Sequence, residues 1–121
     1  MSYLHTPADC PAQPDLTALA EKIVRNLVQH FDADRLAVQQ VMCVAEEAGE
    51  FVGAYRRFAG MARRTGPFED VKEELADVVI TSFVTAQVLG IDLDAAIREK
   101  AEKVMSRGWR ESALATGGGE D

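Results

Sequence analysis

Two short acidic runs hold the residues best suited to chemistry. Residues 46–50 read Glu-Glu-Ala-Gly-Glu and residues 73–77 read Glu-Glu-Leu-Ala-Asp. Within each run two carboxylates stand three apart, Glu47 with Glu50 and Glu74 with Asp77. On a helix that spacing sets both groups on one face, about 5–6 Å apart, so each pair forms a pincer. Acidic pairs on long helices are usually solvated surface, and what separates these two is their position beside apolar residues. On a helical wheel Phe51, Val44, Tyr55, Ala48, Val41, Val52 and Ala45 fill one apolar arc. Glu47 lies at the edge of that arc, Glu50 next outward, and Glu46 further round toward solvent. Glu74 likewise adjoins Val71, Leu75 and Val78, with Ile80, Val84 and Val88 on its other flank.

If the two helices pack antiparallel, the pincers face each other and four carboxylates converge. Unit charges ~6 Å apart at an effective dielectric of ~20 repel by roughly 3 kcal/mol per pair. Several such pairs rival a whole domain's stability of ~5–15 kcal/mol, so convergence requires a compensating cation. A site of carboxylates without imidazole or thiolate favours a hard ion, Mg²⁺ with Mn²⁺ as substitute. Other metal chemistries fail on their own patterns. A di-iron bundle needs Glu-x-x-His pairs, whereas His5 follows Ser2 and His30 follows Leu27. Asp92-Leu93-Asp94 lacks the rest of a calcium-binding loop. Cys10 and Cys43 form no CxxC pair for zinc.

The elements that must position these groups are all helical. Pro7, Pro11 and Pro14 keep the opening extended, so 1–14 is read as an N-terminal segment. Asp15 is placed to cap a helix to about Phe31, with Leu16, Leu19, Ala20, Ile23, Leu27 and Val28 at helical spacing. Asp32 or Asp34 caps a second helix that runs through Gly49 and Gly53 to about Gly60, a length of ~40 Å. Gly60 to Pro67 reads as a basic loop. A third helix starts near Phe68 to Asp70 and ends before Gly90, and Asp92 or Asp94 caps a fourth to about Arg107. Residues 15–109 form the expected helical domain, and 110–121, ending Gly-Gly-Gly-Glu-Asp, a frayed tail. Four helices with short connections predict an all-α, four-helix bundle-like single domain.

Bulk properties agree. With 121 residues, 47% of them hydrophobic and 27% charged, there is room for one ordinary globular domain and not for two. A net charge of -7 argues against nucleic acid and anionic membranes as partners. The longest stretch without a charge, Val78 to Ile91, falls short of the ~20 residues of a spanning helix. Residues 1–14 have neither the basic nor the apolar part of an export signal, so a cytoplasmic protein with free thiols is expected.

Glu46-Glu47-Ala48-Gly49-Glu50 followed by Glu74-Leu75-Ala76-Asp77 resembles the EExxE…ExxD signature of the MazG-like nucleoside triphosphate pyrophosphohydrolases. The resemblance extends over the helix order from about Asp15 to Trp109. Residues 73–80 (Glu-Glu-Leu-Ala-Asp-Val-Val-Ile) and 100–110 (Lys-Ala-Glu-Lys-Val-Met-Ser-Arg-Gly-Trp-Arg) look especially like its small stand-alone members. It implies the MazG-like all-α fold and Mg²⁺-dependent cleavage of a (deoxy)nucleoside triphosphate between the α- and β-phosphates, giving a monophosphate and pyrophosphate, for nucleotide-pool house-cleaning. By that resemblance Glu47, Glu50, Glu74 and Asp77 are metal ligands, and Glu46 orients or deprotonates the attacking water. Activity like that on phosphoribosyl-ATP is one alternative, and a non-catalytic acidic helical interaction module is another.

A triphosphate needs cations beyond the metal. Lys100, Lys103 and Arg107 share a face of the fourth helix, and the resemblance makes them substrate contacts. Against that stands a solvated face balancing Glu99 and Glu102. Arg56, Arg57, Arg63 and Arg64 are read as solubilising, with service to a neighbouring subunit's site as the alternative. Trp109 is read as closing a core edge, Gln40 and Cys43 as lining Glu47's face, and Cys43 as an apolar filler. The third helix carries Val78, Val79, Ile80, Phe83, Val84, Val88 and Leu89 around most of its circumference. A helix apolar all round must be buried all round, so an obligate homo-oligomer is expected in which this helix packs against a symmetry mate, and Phe83→Glu is expected to dissociate or unfold it. The resemblance adds dimers or tetramers, with the tetramer preferred.

Overall fold

A computed structural model describes residues 13–107, which form four helices and no strand. They are α1 (Leu16–Leu27), α2 (Ala33–Phe58), α3 (Phe68–Leu89) and α4 (Leu93–Arg107). Cys10, His5, Trp109, the 110–121 tail and all but the last two residues of the 1–14 segment lie outside the described residues.

Each helix begins and ends for a local reason. The Asp15 side chain accepts the Ala18 amide at 2.9 Å and starts α1. That helix stops at Leu27, before the expected Phe31, because the Gln29 and His30 amides turn back onto Asn26 and Leu27. The chain must then extend so that Asp32, with ψ 156, can cap α2 by accepting the Arg35 amide at 3.0 Å. Asp34 therefore falls inside the first turn. At 26 residues α2 runs unbroken through Gly49 and Gly53. It closes where Gly60 turns left-handed at φ 76 and the Met61 amide reaches back to Arg56 at 2.8 Å. Gly90, at φ 70, ends α3 the same way. Asp92 caps α4 through the Ala95 amide at 3.0 Å, while Asp94 accepts the Thr17 hydroxyl of α1.

Packing centres on α3, which lies along α2 and, less extensively, along α1. Ala20, Phe83 and Val84 are buried where α1 meets α3, with Leu16, Ile23, Leu27, Ile80 and Leu93 around them. Phe83 is therefore core within one chain, because the face of α3 that carries it is taken by α1. Other apolar positions stay open. Leu75, Val79 and Leu89 on α3 are exposed, as are Val38, Val41, Met42, Val52 and Tyr55 on α2. Much of the apolar arc of α2 is thus uncovered in a single chain.

The fourth helix differs from the other three. It has no buried residue, and its axis departs from that of α3 by 112°. Its apolar side, with Leu93, Ala96, Ile97, Ala101, Val104 and Met105, lines an open groove of about 560 Å³. Among the described residues no single helix is long and apolar enough to cross a membrane.

Candidate functional site

Three rungs set the antiparallel register of α2 and α3. Near their connection the rings of Phe58 and Phe68 stand 5.1 Å apart at 53°. At the other end the Thr85 hydroxyl donates to the Gln40 carbonyl at 3.0 Å. Between these, Glu47 and Glu50 of α2 meet Glu74 of α3. One carboxylate oxygen from each of the three lies within 4.8 Å of the others. The spacing on each helix supplied the pairs, and the register supplied their meeting.

The surroundings make the convergence costly. Glu47 and Glu74 are half-buried, and each keeps one occluded oxygen, Oε2, with no hydrogen-bond partner. Burial pushes the Glu47 carboxyl above its ordinary range, and the charges of Glu50, Asp77, Glu74 and Glu46 add to it. Burial also raises Glu74, followed by the charges of Glu50 and Asp77 and a hydrogen bond with Glu50, while Arg57 opposes the shift. Occluded, unpartnered carboxylate oxygens in a site with excess negative charge are the arrangement that a hard divalent cation satisfies. The donor set fits such an ion.

Not every residue singled out in the sequence arrives here. Glu47, Glu50 and Glu74 do. Asp77 is exposed and lies outside the tight triad, but its charge acts on both half-buried glutamates. Glu46 is exposed and acts mainly as a neighbouring charge on Glu47 and Cys43. The Cys43 thiol is pushed up by burial and by Glu46 and Glu47, which suits a filler and not a nucleophile. Lys100, Lys103 and Arg107 sit exposed on α4, which does not pack along α2, and no α4 charge is among those acting on Glu47 or Glu74. Lys100 borders the α4 groove, and Arg107 donates through Nε to the Lys103 carbonyl at 3.2 Å.

A family model, the MazG nucleotide pyrophosphohydrolase domain, matches residues 38–109, more than half of the chain. The chain belongs to the MazG family. No curated protein and no solved structure matches it significantly. The matched span of this MazG chain holds both acidic runs, all of α3 and α4, and most of α2. The family's general activity, hydrolysis of a nucleotide's acid anhydride, is one for which clustered carboxylates able to hold a divalent metal are suited.

The cation whose charge acts on the cluster is Arg57, at Glu74, one of the four arginines read as solubilising from the sequence. The available signal was spacing. Arg57 follows Glu50 by seven residues, two turns along the same face, with Gly53 between them.

Proposed function

We propose that this MazG chain is a Mg²⁺-dependent nucleoside triphosphate pyrophosphohydrolase that cleaves between the α- and β-phosphates, releasing a monophosphate and pyrophosphate, in the service of nucleotide-pool house-cleaning. The observation that carries this reading is the meeting of Glu47, Glu50 and Glu74 within 4.8 Å, with two occluded oxygens lacking partners, inside a span matched by the family. Glu47, Glu50, Glu74 and Asp77 hold the metal, with Mn²⁺ as a substitute. When bound, the divalent ion neutralises non-bridging phosphate oxygens and lowers the pKa of water. The chain's own residues do the rest. Half-burial of Glu47 and Glu74 fixes their orientation before substrate arrives, so little reorganisation accompanies the reaction. Glu46, exposed at the rim, orients the attacking water and takes its proton.

The site is completed by a second copy. Lys100, Lys103 and Arg107 lie exposed on α4, which leaves α3 at 112° and does not pack along α2, and this favours their serving a neighbour's carboxylates. The uncovered apolar residues of α2, α3 and α4 are the surface on which such a homo-oligomer, a dimer or a tetramer, assembles.

The test is product analysis with a panel of nucleoside triphosphates. Pyrophosphate should appear with Mg²⁺ or Mn²⁺ and disappear with chelator. Orthophosphate as the product, or turnover that survives EDTA, would overturn the reading. Silence across the panel would favour a binding module.

A further inference from the structure

Beside the carboxylate cluster, where α2 turns into α3, the chain forms a second polar cavity of about 360 Å³. It is lined by Arg57, Arg64, Thr65, Gly66, Pro67 and Asp70. Arg57 links it to the cluster, since its charge also acts on Glu74. Its side chain is half-buried and runs back along α2, as helical side chains do, so that its head lies one turn nearer Glu50 than its Cα.

Two glycines make that course possible. A Cβ at Gly53 would stand 3.3 Å from Nη1 of Arg57, and a Cβ at Gly66 would stand 3.3 Å from its Cβ and 3.7 Å from Nε. Neither glycine has a positive φ, so the backbone does not require glycine at either place. What both admit is the arginine. Within the described residues its guanidinium has no ion-pair partner; the two ion pairs found there, Arg35 with Asp32 and Lys72 with Glu69, lie elsewhere. A guanidinium held in place by its stem and not ion-paired, though its charge acts on Glu74, keeps its fork of donors for an anion.

We propose that Arg57, with Arg64 and Thr65, forms the subsite for the β- and γ-phosphates of the triphosphate, the half that departs as pyrophosphate. This rests on the pyrophosphohydrolase reading above and adds to it a residue from the same chain as the carboxylates. When the bond from the α-phosphorus to the bridging oxygen breaks, its electron pair stays on the departing pyrophosphate, and Arg57 faces that growing charge. Lys100 and Lys103, carried on α4, do not reach this place within one chain. Asp70 also lines the cavity, with Oδ2 3.8 Å from the Gly66 Cβ position, so an anion bound there is favoured when it carries a divalent cation that offsets this carboxylate.

The experiment is calorimetric titration of the full chain with Mg²⁺–pyrophosphate and, separately, with nucleoside monophosphate and with Mg²⁺ alone. Arg57→Ala should weaken pyrophosphate binding by about 10- to 100-fold, the range for a lost charge-assisted contact. Monophosphate and Mg²⁺ binding should stay within about 2-fold, and Arg57→Lys should recover part of the loss. Should Arg57→Ala fail to fold, Gly53→Ala serves instead. Alanine favours the helix, and its Cβ presses on Nη1, so thermal stability should rise while pyrophosphate binding falls several-fold. Unchanged pyrophosphate affinity in the folded variant, or equal losses for pyrophosphate and monophosphate, would overturn the subsite. So would a wild-type chain that binds no pyrophosphate. None of these readouts needs turnover. A chain that binds pyrophosphate through Arg57 yet hydrolyses no triphosphate would defeat the pyrophosphohydrolase reading alone.

Discussion

The hairpin of α2 and α3 and the helix α4 organise opposite charges in opposite ways. In the hairpin, the Phe58–Phe68 contact, the Thr85–Gln40 bond and the burial of Ala54, Val71 and Thr85 lock the register, so that Glu47, Glu50 and Glu74 meet and Glu47 and Glu74 lose part of their water. On α4 nothing is buried, and Lys100, Lys103 and Arg107 stay solvated. A charge acquires chemical character where packing removes its water, because the same Coulomb energy that water screens becomes large in a poorly solvated pocket. One chain therefore gathers the acidic residues by packing and leaves the basic face of α4 in water.

Substitutions in the hairpin test the stronger side of that contrast. Glu50→Gln or Asp77→Asn keeps side-chain shape and removes a ligand charge, so activity should fall by about 10²–10³-fold or more, the cost of removing a preorganised electrostatic group. Circular dichroism should show the helices intact. Wild-type turnover in both variants would place these carboxylates on an idle surface.

The α4 side calls for a mixing experiment. Lys100→Ala combined with Lys103→Ala should lower kcat/KM by about 10–100-fold. When that inactive chain is unfolded and refolded with the inactive Glu50→Gln chain, activity should return, since mixed assemblies contain an intact acidic half facing an intact α4. No recovery, or a monomer of 13.2 kDa by light scattering, would show that α4 serves no neighbour.

The smallest effect expected is on stability, and its sign follows from the raised carboxyls. Because Glu47 and Glu74 titrate above their ordinary 4.5, the folded chain holds more protons than the unfolded chain just above that pH. Stability without metal should then decline as pH rises through the raised values, by a few degrees in Tm between about pH 5 and neutrality. Mg²⁺ should reverse the decline at neutral pH, and Glu47→Gln should flatten it. A metal-free Tm that rises over this range would show the two carboxyls to be relaxed.

Much of this was legible in the residues because it is local. Caps at Asp15, Asp32 and Asp92 act over three residues, Gly90 stops α3 where only a left-handed residue fits, and the i,i+3 pairs follow from helical pitch. The choice between Asp32 and Asp34 or Asp92 and Asp94 was not settled by composition. Each partner aspartate is an equally good acceptor, and the extended backbone before the helix decides which one caps. Phe83 illustrates a different limit. An all-apolar helix must be covered, but the wheel says nothing of which face a helix from the same chain takes.

By itself the sequence determined four helices and their order, two carboxylate pincers and a basic turn between them, since each depends on neighbours a few residues away. Only tertiary structure decided that the acidic runs converge with two oxygens left without partners, that α4 leaves α3 at 112°, and that the charge of Arg57 acts on Glu74. Those outcomes depend on register, crossing angle and the space left by Gly53 and Gly66, which arise from packing between segments far apart in the chain.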